Sequence, residues 1–163
     1  MSERSTIGRV EAIHIAPAAT AEMLSLTEAR AIAGKGLEGD RYAAGAGTFS
    51  TWPKDHEFTL IEAEAIDAMN QEPGIAFAPG VIRRNVTTRG ILLNDWIGKE
   101  FAIGQVLFRA TRFCPPCAHL QKLLGIEYLM QIMEGRGGIR AQIITHGTIR
   151  VGDAITLCPQ SDR

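Results

Sequence analysis

Phe101-Ala102-Ile103-Gly104-Gln105-Val106-Leu107-Phe108-Arg109-Ala110 is the stretch that decides the fold class. Two apolar runs stand on either side of Gly104, each too short for a helix and rich enough in Val, Ile and Phe for a strand. The pattern repeats outward in both directions. Toward the N-terminus come Val86-Thr87-Thr88, set off by Gly90 and Gly98, then Phe58-Thr59-Leu60-Ile61, and finally Gly8 to Ile15, which alternates at period two. Toward the C-terminus, Arg140-Ala141-Gln142-Ile143-Ile144 and Asp153-Ala154-Ile155-Thr156-Leu157 flank turns at Thr145-His146-Gly147 and Val151-Gly152-Asp153. Short strands recurring every 8–12 residues or so predict a barrel or a sandwich.

Helical spacing is confined to two places. Ala65, Ile66 and Met69 share a face within Glu62 to Met69, before Pro73-Gly74 closes the segment. Leu120, Leu123, Leu124, Leu129, Met130 and Met133 follow helical spacing with a break at Gly125. No alternation of strand with long helix argues for a doubly wound sheet. The expected architecture is mainly β with a few short helices, closed or partly closed as a barrel.

The 163 residues are 45% hydrophobic and 21% charged, the composition of one globular domain with a real core. No apolar run approaches the roughly 20 residues of a membrane span. The opening MSERSTIGRVEA lacks the apolar centre of a secretory signal, so a cytoplasmic protein is expected. A net charge of −1 argues against a nucleic-acid partner. The charge is uneven, however: Arg83 to Arg140 carries nine Lys or Arg against four Asp or Glu. Such a segment can build a local pocket for a small anion.

Several motifs compete for chemistry. Gly34-Lys35-Gly36-Leu37-Glu38-Gly39 spells a dinucleotide fingerprint, but no helical periodicity follows it, as phosphate binding would require. Asn85-Val86-Thr87 is a glycosylation sequon in letters only. His14, His56 and His146 show no partner pattern and read as packed or surface residues. In Arg112-Phe113-Cys114-Pro115-Pro116-Cys117-Ala118-His119-Leu120, the prolines stop a strand and lead into a helix starting near Cys117 or Ala118. A thiol at that position meets unpaired N–H groups and favours its thiolate, with Arg112 adding positive potential. A thioredoxin-like pair would need a βαβ context, and a zinc site two further ligands; two inert buried cysteines remain the third reading. Arg83-Arg84-Asn85 combines bidentate donors for phosphate with an amide for a heterocycle edge, or is simply a charged strand terminus.

Taken in order, six pieces resemble the MOSC domain family, named for the C-terminal domain of molybdenum cofactor sulfurases. They are Gly36-Leu37-Glu38-Gly39-Asp40-Arg41, Thr59-Leu60-Ile61-Glu62-Ala63-Glu64, Arg83-Arg84-Asn85-Val86, Gly98 to Gly104, Cys114-Pro115-Pro116-Cys117-Ala118-His119-Leu120 and Gly147 to Asp153. The resemblance runs from about residue 7 to residue 157 and treats the whole chain, 1–163, as one such domain. It implies a compact β-barrel tied to molybdenum cofactor, with Cys117 as sulfur carrier or molybdenum ligand. It matches Arg83 and Asn85 to the family's cofactor-contacting R-x-N motif; Arg84, Asp40, Arg41 and Arg112, in or beside the matching pieces, are further candidates. Pyridoxal phosphate is implied only through a sulfurase partner, and is not expected to bind here. A cysteine desulfurase, a molybdoenzyme or an electron-transfer protein is the partner class implied, with no membrane. The alternatives are a molybdenum-dependent reductase of N-hydroxylated bases or amidoximes and a dithiol oxidoreductase using Cys114 and Cys117.

Overall fold

The computed structural model describes residues 7–18, 20–41, 43, 57–78, 80–114 and 118–159. In chain order the elements are β1 (Ile7–Ile15), β2 (Leu24–Leu26), β3 (Glu28–Ile32), β4 (Gly36–Leu37), β5 (Phe58–Glu62) and α1 (Ala63–Met69). There follow β6 (Val86–Arg89), a 3-10 turn (Leu93–Trp96), β7 (Glu100–Ile103), β8 (Val106–Phe113), α2 (Ala118–Leu124) and α3 (Leu129–Ile132). β9 (Ile139–Ile143), β10 (Gly147–Arg150) and β11 (Ala154–Leu157) complete the chain.

Seven strands in the order β11-β7-β8-β9-β5-β6-β1 form one sheet, and antiparallel pairing of β1 with β11 closes it into a barrel. β1 makes closure possible because it is long. Its first residues pair with β11, and its last, Ile13 to Ile15, pair with β2 on the same edge. Along its other edge it pairs with β6 across an irregularity between Val10 and Ala12, which bends the strand between its two partners. One pairing departs from an all-antiparallel barrel: β5 and β6 run parallel. The connection between them is a long crossover carrying α1, which a parallel pair requires.

Period-two alternation fills the interior. Phe58 and Leu60 of β5, Phe108 and Ala110 of β8, and Ile139 and Ala141 of β9 belong to one buried cluster. Phe108 stacks on Phe58 at 4.7 Å and on Phe101 at 5.3 Å between ring centroids, so side chains occupy the barrel axis. Ligand chemistry is thereby left to the outer wall. There Ile61 joins Met69, Phe77, Ile82, Leu120, Leu129 and Met133 in a second cluster that seats the helices against β5.

A separate three-stranded sheet, β10-β3-β4, departs from the sequence expectation. Thr145-His146-Gly147 was expected as a turn between two strands, but Gly147 begins β10, which pairs with β3. Exposed His146 accepts the Ala33 N–H at 3.0 Å, a loop tie. Gly36-Leu37 is itself strand β4, with turns on both sides, so the glycine-rich stretch opens no helix within its described residues. No helix among the described residues is long and apolar enough to cross a membrane.

Candidate functional site

Strand register assembles a polar row on the outer wall. Arg112 of β8 lies opposite Arg140 of β9, and Arg140 lies opposite Thr59 of β5. Residues directly opposite in a ladder project from the same face. Since Phe58 and Leu60 point inward, Thr59 and Arg140 point outward. Asn85, just ahead of β6, continues the row. Its N–H donates to Thr59 Oγ1 at 3.0 Å, its Oδ1 accepts the Thr59 N–H at 3.1 Å, and its Nδ2 donates to the His14 carbonyl at 3.1 Å. The His14 N–H closes the junction on the Asn85 carbonyl at 2.7 Å.

Asn85 is 3% exposed, and its side chain bonds β5 to β1, holding the row in register. His14 sits beside it, buried, with no hydrogen-bond partner for Nδ1 among the described residues; burial pushes its pKa below the ordinary histidine value and favours the neutral ring. Gly80, at φ +86°, lies against that ring. A Cβ there would sit 2.6 Å from His14 Cδ2, so the approach requires glycine.

The two arginines ahead of Asn85 diverge. Arg83 adopts the left-handed backbone region at φ 69°, unusual for a non-glycine residue. Its Nη1 donates to the Ala21 carbonyl at 2.6 Å, toward the loop between β1 and β2. Arg84 turns the other way: its Nε donates to Gly137 O at 2.8 Å and its Nη1 to Ile82 O at 3.1 Å. They do not make one clamp. Asp40 and Arg41 brace the same loop as Arg83. Buried Asp40 accepts the Ala16 N–H at 2.9 Å and the Arg41 Nη1 at 3.2 Å, while Arg41 Nη1 also lies 3.8 Å from Met23 Sδ. Asp40, Arg41 and Arg83 therefore gather around residues 16–23, whereas Arg84 and Arg112 lie toward β9.

Cys114 directly follows the last residue of β8. Cys114 is 4% exposed, and its N–H donates to Gly138 O at 2.9 Å. The adjacent carbonyls of Gly137 and Gly138 thus receive Arg84 and Cys114 respectively, which brings two distant sequence motifs to one dipeptide. Gly138 has φ +85°, and a Cβ on it would overlap the Leu60 carbonyl, so β9 starts hard against β5. Cys114 also lines a cavity of about 260 Å³ with Phe113, Asn94, Glu134, Gly135, Gly137 and Gly138. A neighbouring cavity of about 360 Å³ shares Asn94, Gly135 and Gly138 with it and adds Glu62, Glu64, Asp95 and Arg136. Burial, reinforced by the charges of Glu64 and Asp95 and opposed by a hydrogen bond from Leu93, raises the pKa of Glu62. Cys117 and His56 lie outside the described residues, and α2 begins at Ala118.

Thr59, His14, Arg140 and the Gly137-Gly138 pair are the site residues that sequence reasoning did not pick out. The available signal was alternation: with Phe58 and Leu60 inward, Thr59 had to face outward among polar neighbours.

A model of the MOSC domain matches residues 12–156. Comparison with curated proteins found no match. Among solved structures, the YuaD protein from Bacillus subtilis superposes with a TM-score of 0.78 at 16% identity, covering 98% of this chain and 100% of that one. YiiM from Escherichia coli gives 0.70 at 18% identity, covering 95% and 72% respectively. YiiM from Geobacillus stearothermophilus gives 0.73 at 16% identity, covering 93% and 75%. At these identities the likeness is one of fold.

Proposed function

The chain belongs to the MOSC domain family, and from that premise we propose that it binds molybdenum cofactor or carries activated sulfur toward a metal–sulfur centre, with Cys117 as the reacting thiol. The family ties the protein to molybdenum cofactor in general terms; the sulfur role of Cys117 is this reading's own step. The observation that carries it is the Gly137-Gly138 dipeptide, whose adjacent carbonyls hold the side chain of Arg84 and the backbone of Cys114. A cationic group and the entrance to the cysteine segment are thereby anchored side by side, as a ligand with an anionic tail and a sulfur-rich head would need.

The residues fit such a ligand at its anionic end. Arg84, Arg112 and Arg140 surround the start of β9, and Arg140 Nε is buried without a hydrogen-bond partner among the described residues. Asn85 serves by fixing Thr59 and Arg140 in register. When bound, the cofactor would supply a redox-active metal on a dithiolene, for which a soft thiolate such as Cys117 is a suitable ligand. In the carrier role, Cys117 thiolate attacks the outer sulfur of a desulfurase persulfide. The donor cysteine leaves as thiolate, and Cys117 becomes the persulfide with no net change in oxidation. A cysteine desulfurase is the partner this reading names.

Replacement of each cysteine tests it. After incubation with a cysteine desulfurase and cysteine, Cys117→Ser should show no persulfide by mass spectrometry, while Cys114→Ser keeps most of it. Alkylation near neutral pH should be slow at buried Cys114 and faster at Cys117. Equal loss in both variants, with a reversible Cys114–Cys117 disulfide, would establish the dithiol oxidoreductase instead. The cavity beside Cys114, walled by half-exposed Phe113 and by Glu134, favours a second reading: reduction of N-hydroxylated bases or amidoximes with an outside electron donor. Turnover of an N-hydroxylated purine distinguishes that activity from sulfur carriage.

A further inference from the structure

Three hollows beside Cys114 run into one another. The cavity of about 260 Å³ at Cys114 shares Asn94, Gly135 and Gly138 with the larger cavity at Glu62. It also shares Glu134 with a third hollow of about 380 Å³, lined by Gln121, Glu127, Met130 and Gln131. The Glu62 cavity and the third hollow have no lining residue in common, so the Cys114 cavity is the middle of a trough. Its walls are tied in place. Asn94 Nδ2 donates to the Gly135 carbonyl at 3.3 Å, and the Met130 N–H donates to Gln121 Oε1 at 3.1 Å.

Each hollow carries one large exposed apolar side chain: Leu92, 47% exposed, then Phe113, 55%, then Met130, 40%. Apolar residues scattered singly on a surface are ordinary; three along one trough are not. Carboxylates alternate with them: Glu62, Glu64 and Asp95 beside Leu92, Glu134 beside Phe113, and Glu127 beside Met130. Arg136 is the one cation among the described lining residues, and its Nη1 lies 4.0 Å from Glu72 Oε1. Glu62 and Glu64 accept the backbone N–H groups of Leu93 and Gly90. Among the described residues, no ion pair joins Glu62, Glu64, Glu127 or Glu134 to a cation.

We propose that this trough is a docking surface for an extended, basic segment of a partner protein. Its apolar side chains rest on Leu92, Phe113 and Met130, and its lysines or arginines meet Glu62, Glu64, Glu127 and Glu134. Charge complementarity selects that occupant, because the unpaired carboxylates repel an acidic segment. Hollows joined in a row suit a run of side chains better than one compact ligand. The apolar contacts anchor the segment, and the carboxylates steer it. A segment seated there passes Cys114. Cys117 is three residues further on, so its Cα lies no more than about 11 Å from that of Cys114. The surface thus brings a partner to the cysteine segment, whether Cys117 carries sulfur or binds metal.

A dye-labelled heptapeptide alternating lysine with leucine probes the surface by fluorescence anisotropy on the full chain, against analogues with serine for leucine and with glutamate for lysine. Wild type should bind the lysine–leucine peptide about tenfold more tightly than either analogue. The double variant Glu127→Gln/Glu134→Gln and, separately, Phe113→Ser should each weaken binding roughly fivefold. Their melting temperatures should stay unchanged, since all three residues are exposed. Glu28→Gln, at an exposed carboxylate of β3, should leave binding as it is. A photoreactive leucine in the peptide should cross-link within the trough, at Leu92, Phe113, Met130 or residues beside them. Absence of binding, weakening by Glu28→Gln as large as by the double variant, or cross-links confined to other faces overturns the proposal. Dimerisation of the wild type that Phe113→Ser abolishes also overturns it, because the trough then seats a second copy of this chain.

Discussion

At the scale of single residues, Asn85 is a structural joint between three strands. Its amide meets the Thr59 N–H, the Thr59 hydroxyl and the His14 carbonyl, all in a nearly water-free setting. Removing it leaves a buried donor and a buried acceptor unsatisfied, each worth roughly 1–3 kcal/mol. Asn85→Ala should therefore lower unfolding free energy by about 3 kcal/mol, measured by urea denaturation. A loss below about 1 kcal/mol would show that the bonds are readily replaced by water. The residue types of the R-x-N segment could be read from the sequence, but their division of labour could not. The left-handed turn at Arg83 sends one guanidinium to Ala21 and the next to Gly137, and nothing in three adjacent letters encodes that divergence.

Among the elements, those with large inward side chains were legible. β1, β5 and β8 alternate strongly because Ile, Leu and Phe fill the barrel interior. β3 alternates as well, but with only Ala29 and Ala31 fully buried, and β10 buries Ile149 alone. Such strands carry too little apolar contrast to stand out from loops. Parallel pairing of β5 with β6 was also hidden, since it arises from where the crossover returns. The same limit applies to the site: Arg112 and Arg140 become neighbours only through the register of β8 on β9. Gly138 tests how closely β9 must approach β5. Gly138→Ala combines a positive φ with overlap on the Leu60 carbonyl, whereas Gly152→Ala meets only its φ of +94°, with nothing within 4 Å. Gly152→Ala should cost about 1–2 kcal/mol and Gly138→Ala distinctly more. Equal destabilisation in thermal or urea unfolding would mean that the strand start yields easily.

For the whole molecule, closure and filling of the barrel decide where function resides. With Phe58, Phe101 and Phe108 stacked inside, the barrel interior is filled, and the candidate site lies on the outer wall, where the crossover, the β8 exit and the start of β9 meet. The central claim is that this wall serves molybdenum cofactor. Metal analysis and pterin fluorescence on the full chain, purified from a host that makes the cofactor, test it most directly. Molybdenum and pterin should copurify in similar molar amounts with the wild-type protein, and both should be lost from Cys117→Ser while that variant's melting temperature without ligand is unchanged. Purified wild-type protein carrying neither, and acquiring neither when mixed with cofactor released from a molybdoenzyme, would contradict it.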